Sequence, residues 1–247
     1  MNPRQTVLVV GGTGRTGRRV LAQLLARGVE VRAIVRAAGR LPADVAADPL
    51  LTVVEADLLS LGDNDLATHV RGCDAVISCL GHVISLRGVF GPPRDLVARA
   101  TRRLCGAIRD GRPPAPVKYV LMSSVSVNHP GGPEARRGRL ERAQLRLLRG
   151  LVPPARDNQQ AADFLHDVIG FSDPHLRWVV VRPDSLVEGE RSPYALHDEL
   201  VNSLARPARS SLANVADFMC DLATVADTWE RWAGRLPVIV NDAGARG

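Results

Sequence analysis

The sequence predicts an α/β fold, a doubly wound parallel sheet with helices on both faces. Short apolar, β-branched runs alternate with longer helical patterns along all 247 residues, which is typical of successive strand–helix units. Most of these runs are continuous rather than alternating, as in strands that are buried on both faces of a parallel sheet. The composition, 45% hydrophobic and 23% charged residues, is that of an ordinary globular protein.

The predicted strands are short and rich in valine or isoleucine. They lie at residues 6–10, 30–35, 51–55, 74–79, 117–123, 177–181 and 237–241. The predicted helices carry an apolar stripe at the helical period. They lie at residues 18–27, 94–110, 158–169 and 215–224. The chain has no internal repeat and no linker long enough to divide it, so we expect one domain over residues 1–247.

Irregular segments interrupt this alternation. They are a Gly/Pro-bearing connection at 82–93, Pro-rich stretches at 125–133 and 152–157 around a basic helix, and a polar segment at 184–211. Long loops in compact domains are usually functional, and these follow carboxyl ends of predicted strands, where open α/β sheets bind ligands. We therefore expect a small irregular substrate lobe. It would be assembled from about 82–93, 125–160 and 184–235.

Composition and charge argue against several classes of function. The net charge is +6, but the basic residues are spread over nearly every segment and only 4% of residues are aromatic, so we expect no nucleic-acid partner. No apolar run approaches the roughly 18 residues that span a membrane, and no signal peptide is evident, which favours the cytoplasm. The four cysteines lack a Cys-x-x-Cys pair and are expected to be reduced and buried. The six scattered histidines predict no metal site.

The first strand runs into a glycine-rich loop and then a helix, as VLVVGGTGRTGRRVLAQLLARG over residues 7–28. Gly12-x-Gly14-x-x-Gly17 matches the dinucleotide fingerprint, and Gly11-x-x-Gly14-x-x-Gly17 matches its wider-spaced variant. The position between strand and helix is where the mechanism requires it, because backbone N–H groups and the helix dipole then face a pyrophosphate. We expect the loop's cofactor contacts from Gly11, Thr13, Gly14, Arg15, Thr16 and Gly17.

The next strand indicates which dinucleotide binds. An NAD-preferring site places an acidic residue at its end to accept from the ribose 2′-OH. Here the strand ends in Arg36, with Arg40 four residues on and Arg15 in the glycine loop. Guanidinium groups suit a 2′-phosphate, so NADP(H) is the predicted cofactor.

These motifs resemble the atypical short-chain dehydrogenases/reductases, the NmrA-like and biliverdin/flavin-reductase-like NAD(P)H-binding proteins. The resemblance spans nearly the whole chain and implies a Rossmann-like sheet. It rests on GGTGRTG, RAIVRAAGRLP, VVEADLLS, DAVISCLG, YVLMSSVSV, VVVRPDSLV and NVADFMCDLAT.

The resemblance also implies cofactor contacts along the strand ends. Asp57 and Leu58 would border the adenine, and Leu80 and Gly81 would line the ribose and pyrophosphate. Asp57 is equally a turn or helix N-cap residue, and the two roles are compatible. The nicotinamide end would be contacted by Ser123, Ser124, Arg182 and Pro183.

The Tyr-x-x-x-Lys pair of the better-known superfamily members, in which the tyrosine acts as general acid, is absent. The two tyrosines, Tyr119 and Tyr194, are followed four residues later by Ser123 and Asp198. The single lysine, Lys118, begins the fifth strand.

Other polar residues are the candidate catalytic groups. Asp157 and Asn158 would open a helix at the mouth of the site, where they would orient substrate or relay a proton; simple N-capping by Asp157 is the alternative. Ser123 and Ser124 would offer a hydroxyl to a substrate carbonyl oxygen, or would only satisfy backbone groups at a strand end. A serine hydrolase is disfavoured, because the Gly-x-Ser-x-Gly elbow is missing.

Three functions remain open. The first is an NADPH-dependent reductase of a small apolar or conjugated carbonyl or flavin-like acceptor, acting as a monomer or homodimer. The second is an NADP(H)-binding redox sensor without turnover, and the third is a biosynthetic isomerase, epimerase or cyclase on the same fold. Apolar side chains of the long connections would line the substrate pocket, namely Val83, Ile84, Leu86, Val89, Phe90, Leu186, Tyr194 and Leu196.

Overall fold

The computed structural model describes residues 4–81, 92–129, 153–202 and 207–242. The strands in these ranges are β1 (Thr6–Val10), β2 (Glu30–Val35), β3 (Leu51–Glu55), β4 (Ala75–Ser78), β5 (Val117–Met122), β6 (Leu176–Pro183), β7 (Ser185–Val187), β8 (Tyr194–His197), β9 (Arg209–Ser211) and β10 (Val238–Asn241). The α-helices are α1 (Gly17–Ala26), α2 (Ala43–Ala46), α3 (Asp63–Val70), α4 (Leu96–Asp110), α5 (Pro153–Asp163), α6 (Leu212–Thr224) and α7 (Ala226–Trp232). A 3₁₀ turn spans Ala38–Arg40, and α5 continues as a π-helix over Phe164–Ile169.

Eight strands form one central sheet in the order β3-β2-β1-β4-β5-β6-β10-β8. All neighbours are parallel except β8, which pairs antiparallel with β10 at the edge. Val10 at the end of β1 is level with Ile34 of β2 and Ser78 of β4, so the loops that follow these strands emerge together. The predicted doubly wound parallel sheet is confirmed.

The core lies on both faces of this sheet, because consecutive strand residues point to opposite sides. Val7 and Val9 of β1 contact the apolar cluster under α1, α6 and α7. Leu8 and Val10 contact the cluster under α3, α4 and α5. All four are at most 1% exposed, which explains why the strand reads as a continuous apolar run.

Helix α6 shows that the predicted substrate lobe is too large. The prediction assigned residues 184–235 to the lobe, yet α6 packs against α1 and against β4 and β5. Phe218 and Met219 of α6 are fully buried in the core. The segment before α6 is also more regular than expected, since β7 and β9 form a two-stranded parallel sheet and β8 joins the main sheet. Tertiary pairing of short polar strands is not visible as a local pattern.

Two helices begin earlier than predicted. Helix α5 starts at Pro153 inside the Pro-rich stretch, because proline in a first helical turn loses no intrahelical hydrogen bond. Helix α6 starts at Leu212, where the Ser211 hydroxyl accepts a hydrogen bond from the Asn214 amide. Helices α2, α3 and α7 are additional, and all three are short.

Several predictions fall outside the described residues, including the apolar side chains predicted between 83 and 90 and the basic helix between the Pro-rich stretches. In the described ranges, no helix is both long and apolar enough to cross a membrane. All four cysteines are free and buried, as predicted.

Candidate functional site

The loop between β1 and α1 is built from glycines that the chain's own backbone requires. Gly11 has φ +78°, and a Cβ there would lie 2.7 Å from the carbonyl of Cys79, just after β4. A Cβ on Gly17 would lie 2.1 Å from the Gly11 oxygen. At Gly14 the nearest such contact is 3.2 Å, so this glycine is less constrained by the fold. A tight turn results, closed by the hydrogen bond from the Gly14 amide to the Gly11 oxygen at 3.0 Å.

The amides of this loop are free to bind an anion. The N–H groups of Thr13, Arg15 and Thr16 make no hydrogen bond to any residue that the structure describes. Thr16 is the N-cap of α1, and its side chain does not cap the helix. Unsatisfied amides and the positive end of the helix dipole therefore meet at one point, which suits a pyrophosphate.

The N-terminus of α4 reaches the same edge of the sheet, but its amides already have a partner. The Asp157 carboxylate, on α5, accepts hydrogen bonds from the Val97 amide with Oδ2 and from the Ala98 amide with Oδ1, both at 2.8 Å. Asp157 is 1% exposed. Since a carboxylate already offsets the positive end of α4, α1 is the helix that can take the pyrophosphate charge.

A cleft of about 170 Å³ lies at the carboxyl ends of the first strands. Nine predicted cofactor residues line it: Gly11, Thr13, Gly14, Arg36, Arg40, Asp57, Leu58, Leu80 and Gly81. The cleft has further lining residues that were not predicted from the sequence: Ile34, Val35, Ala56, Leu59, Cys79, Pro93 and Leu96. The only signal for them was their position at or next to strand ends and helix starts.

Basic side chains mark one end of this cleft. Arg36 and Arg40 are exposed and form no ion pair with any described residue. Asp57 fills both of its predicted roles in part: it lines the cleft, and its Oδ1 accepts from the Leu59 amide at 2.8 Å in a turn. The cleft thus combines free guanidinium groups with the glycine loop.

Arg15 does not line the cleft, which corrects its predicted role toward a 2′-phosphate. Its guanidinium pairs with Glu188, just after β7, at 3.1 Å. Arg19 pairs with the other oxygen of the same carboxylate. These guanidinium groups hold the pKa of Glu188 below its usual value. The Arg15 guanidinium is therefore directed toward the segment after β7. The predicted packing role of Gly17 is separate: this residue is buried where α1 begins, against the Gly11 oxygen.

The two predicted serines at the end of β5 are in different environments. The Ser123 Oγ is buried and has no hydrogen-bond partner among the described residues, although the residue is 7% exposed. The Ser124 Oγ is 2.7 Å from the Ser126 Oγ. An unpartnered buried hydroxyl costs free energy unless a ligand or water completes it, so Ser123 is the serine that fits a ligand-binding role.

Asp157 is not the N-cap of its own helix. Helix α5 begins at Pro153, which places Asp157 in the helix interior with both oxygens bonded to α4. With a side chain that is 1% exposed and both oxygens bonded to α4 amides, the structure favours a structural role, and its predicted contact with a substrate stays a prediction. Asn158 is half-buried, and its predicted substrate contact stays a prediction. Gln159 fastens α5 to the loop after β5 by accepting from the Asn128 amide at 2.9 Å.

Arg182 is also structural, contrary to its predicted contact with the nicotinamide end. It is fully buried, and its guanidinium donates to the carbonyls of Leu236 at 2.7 Å and Asp198 at 3.2 Å, and also to the carbonyl of Val127. Pro183 is buried and paired in register with Ile239 of β10. Both residues hold β6 to its neighbours, and the predicted contact of Pro183 with the nicotinamide end stays a prediction.

The tyrosines and the lysine do not line the cleft. Tyr119 is fully buried, its hydroxyl is 3.1 Å from the Thr101 Oγ1, and burial raises its pKa. The Lys118 ammonium donates to the Ala223 oxygen at 3.0 Å, and burial lowers its pKa. Tyr194 packs against the core with Leu186 and Leu196, so these three predicted pocket residues are mainly core contacts.

The residues present fit a dinucleotide. The glycine loop supplies unpartnered amides, the cleft continues past the ends of β2 and β3, and the buried hydroxyl of Ser123 lacks a partner at the end of β5. This is the order in which the crevice of an open parallel sheet takes the pyrophosphate, adenosine and nicotinamide parts of the cofactor.

Comparison with known proteins agrees with this site. The model of an NAD(P)H-binding family matches residues 11–225. An uncharacterized chloroplastic protein of Arabidopsis thaliana is 36% identical over 130 residues, which is 49% of this chain and 42% of that protein; the chain thus covers less than half of this relative's length.

Solved structures share the fold. An oxidoreductase, ylbE, from Lactococcus lactis has a TM-score of 0.68 at 20% identity, covering 96% of this chain and 91% of that one. A Rossmann-fold NAD(P)-binding family protein from Shigella flexneri has a TM-score of 0.67 at 16% identity, with coverages of 98% and 95%. A short-chain dehydrogenase/reductase (wide type) from Veillonella parvula, in complex with NADP, has a TM-score of 0.68 at 14% identity, with coverages of 98% and 96%. The match over residues 11–225, together with the glycine loop and the parallel sheet, shows that this chain belongs to the NAD(P)H-binding family.

Proposed function

We propose that the chain binds NADPH and reduces a small apolar or conjugated carbonyl or flavin-like acceptor. One observation carries the cofactor assignment: Arg36 and Arg40 line the same cleft as Gly11 and Gly14 and have no carboxylate partner among the described residues. Free guanidinium groups there favour a 2′-phosphate, and no acidic residue ends β2 to accept from a 2′-OH. The NADP complex of the Veillonella parvula structure supports the same choice.

Different lining residues would contact different parts of the cofactor. The free amides of Thr13, Arg15 and Thr16 would bind the pyrophosphate. Asp57 and Leu58 would border the adenine. Leu80 and Gly81 would line the ribose next to the end of β4, where both residues line the cleft.

The chain's own contribution to the reaction is orientation and one hydroxyl. Bound NADPH supplies a hydride. The Ser123 Oγ would donate a hydrogen bond to the acceptor's carbonyl oxygen, because the atom is buried and unpartnered in the described structure. Asn158 would bind a second polar group of the acceptor. In a conjugated acceptor the negative charge is delocalised, so its proton can come from water and no tyrosine–lysine pair is needed.

A redox sensor that binds NADP(H) without turnover is the second candidate. The placement of Tyr119 and Lys118 away from the cleft favours it, since neither can act as an acid or base on a bound substrate. The discriminating property is cofactor consumption, which a sensor does not show with any acceptor.

Calorimetric titration of the purified protein with NADPH and NADH tests the cofactor assignment. We expect NADPH to bind at least about tenfold more tightly, a difference of about 1.4 kcal/mol. Arg36→Glu should remove this preference, whereas Arg231→Glu on α7, with the same change of charge, should leave it intact. If neither nucleotide binds, the glycine loop is purely structural and both candidate functions are wrong.

Turnover is then tested by following NADPH oxidation with quinone, flavin and enone acceptors. Consumption that falls in Ser123→Ala, at unchanged NADPH affinity, supports the reductase. Tight NADPH binding without consumption under any acceptor supports the sensor.

A further inference from the structure

The two arginines of the cleft are carried by one short segment, which we call the arginine turn, residues 36–41. It leaves β2 at Arg36, forms the 3₁₀ turn Ala38–Arg40, and ends at Leu41, which is 7% exposed and packs into the core. Its internal hydrogen bonds run from the Arg40 amide to the Ala37 oxygen at 3.3 Å and from the Leu41 amide to the Ala38 oxygen at 3.0 Å. These bonds leave the Ala38 amide unsatisfied within the turn.

Glu55, the last residue of β3, supplies the missing partner. Its Oε2 accepts a hydrogen bond from the Ala38 amide at 2.8 Å. Glu55 is level with Val35 of β2, and the Ala56 amide bonds to the Val35 oxygen at 2.8 Å, so the carboxylate starts from a fixed point of the sheet. Among the described residues, no other side chain hydrogen-bonds to the backbone of the arginine turn.

The charge of Glu55 works against anion binding in this cleft. A carboxylate beside Arg36 and Arg40 lowers the positive potential that a phosphate group would experience. A hydrogen bond to a charged acceptor, however, is about twice as strong as one between neutral groups. The role of the Glu55 carboxylate is therefore to anchor the arginine turn through the Ala38 amide, and not to contact the cofactor.

We propose that Glu55 is a positioning residue for NADPH selectivity, holding the arginine turn so that Arg36 and Arg40 face the 2′-phosphate. This inference rests on the proposed NADPH function. The anchored turn orders both guanidinium stems before the cofactor arrives, which reduces the entropy lost on binding. NADH has no 2′-phosphate for these arginines to contact, so ordering their side chains should not strengthen NADH binding.

Three variants of the full chain test the role. Glu55→Ala removes the anchor and the charge, Glu55→Gln removes the charge but keeps an acceptor oxygen, and Glu30→Ala removes an exposed carboxylate at the opposite end of β2 as the matched control. Each is titrated calorimetrically with NADPH and NADH. Exchange of the Ala38 amide is followed by NMR in the protein without cofactor.

We expect Glu55→Ala to weaken NADPH binding by about fivefold or more, the effect of losing one hydrogen bond, with NADH binding changed less than about twofold. Glu55→Gln should bind NADPH as tightly as the wild type or more tightly, and Glu30→Ala should bind as the wild type. The Ala38 amide should exchange faster in Glu55→Ala only.

The inference is overturned if Glu55→Ala leaves the ratio of the NADPH and NADH dissociation constants unchanged, whether both affinities stay the same or fall equally. Wild-type protein that does not prefer NADPH overturns the proposed function instead. The two failures are separable, because the wild-type titration decides the second, whereas the ratio of the variants and the Ala38 exchange decide the first.

Discussion

Replacing Asp157 should destabilise the fold far more than its position in the sequence suggests. Its carboxylate, 1% exposed, accepts from the amides of Val97 and Ala98 at 2.8 Å each, and so caps α4 from a different helix. Helix α4 has no cap of its own, since Asp95 occupies the N-cap position without a side-chain cap hydrogen bond. The loss in Asp157→Ala would therefore fall on both first-turn amides together.

The magnitude follows from these contacts. A hydrogen bond to a charged group contributes about 1.5–3 kcal/mol, and a buried amide left without its acceptor costs about 1–3 kcal/mol. We expect Asp157→Ala to lower the free energy of unfolding by about 3–5 kcal/mol, and Asp157→Asn by about 2–3 kcal/mol, because the amide keeps one oxygen acceptor but sets its NH₂ group against a backbone N–H. Against a total stability of about 5–15 kcal/mol these losses are large.

Urea unfolding monitored by tryptophan fluorescence and circular dichroism measures both values, and an unchanged slope shows that the unfolded states are comparable. The control is Asp95→Asn. The Asp95 carboxylate is half-exposed and makes a long ion pair of 3.9 Å with Arg99, a contact that contributes at most about 1 kcal/mol to stability. The reasoning is refuted if Asp95→Asn costs more than Asp157→Asn. A fully stable Asp157→Asn that has lost turnover would instead return Asp157 to a catalytic role.

Three further predictions use other features of the site and core. Gly17→Ala should destabilise the fold by about 1–3 kcal/mol or more in thermal unfolding, because its Cβ would lie 2.1 Å from the Gly11 oxygen. Gly81→Ala should change only NADPH affinity, because no atom of the described residues lies within 4 Å of the added Cβ. Ser123→Ala should leave the unfolding temperature nearly unchanged, since the Ser123 hydroxyl has no hydrogen-bond partner among the described residues. The same variant should lower turnover by about a hundredfold in NADPH-oxidation assays. Burial raises the pKa of Cys73 to about 11 and of Cys220 to about 12, so the native thiols should resist a thiol reagent at pH 8 that labels all four cysteines after unfolding.

The thiols also predict a pH dependence. Their pKa values are raised in the folded protein, so above about pH 9 the unfolded chain loses protons that the folded chain keeps. Stability should therefore fall as the pH rises from about 9 toward 11, by at most about 1.4 kcal/mol per pH unit for each thiol. Constant stability over this range would contradict the buried placement of the thiols.

The glycine and serine predictions have their own contradicting outcomes. A Gly17→Ala protein as stable as Gly81→Ala would contradict the packing of the glycine loop. Loss of stability in Ser123→Ala would show that the hydroxyl has a hydrogen-bond partner.

Local chemistry in the sequence determined the sheet and half of the site. Strands buried on both faces must be continuously apolar, so β1, β2 and β3 were predicted within their exact bounds. The glycine loop was predictable because its glycine spacing between a strand and a helix is a local motif, and Gly17 is required by a contact inside that loop, with the Gly11 oxygen. Arg36 followed from its place at the end of β2, and Asp57 was implied by the family resemblance; both line the cleft.

Only the tertiary structure decided what the polar side chains do. Arg15 pairs with a carboxylate 173 residues away, Asp157 caps a helix that begins about 60 residues earlier, and Arg182 is enclosed by carbonyls of three separate segments. Each had been assigned to the site from the sequence. A charged side chain can be buried only where hydrogen bonds or ion pairs offset the free energy lost when it leaves water. Those partners come from segments that are distant in the sequence and meet only in the folded protein.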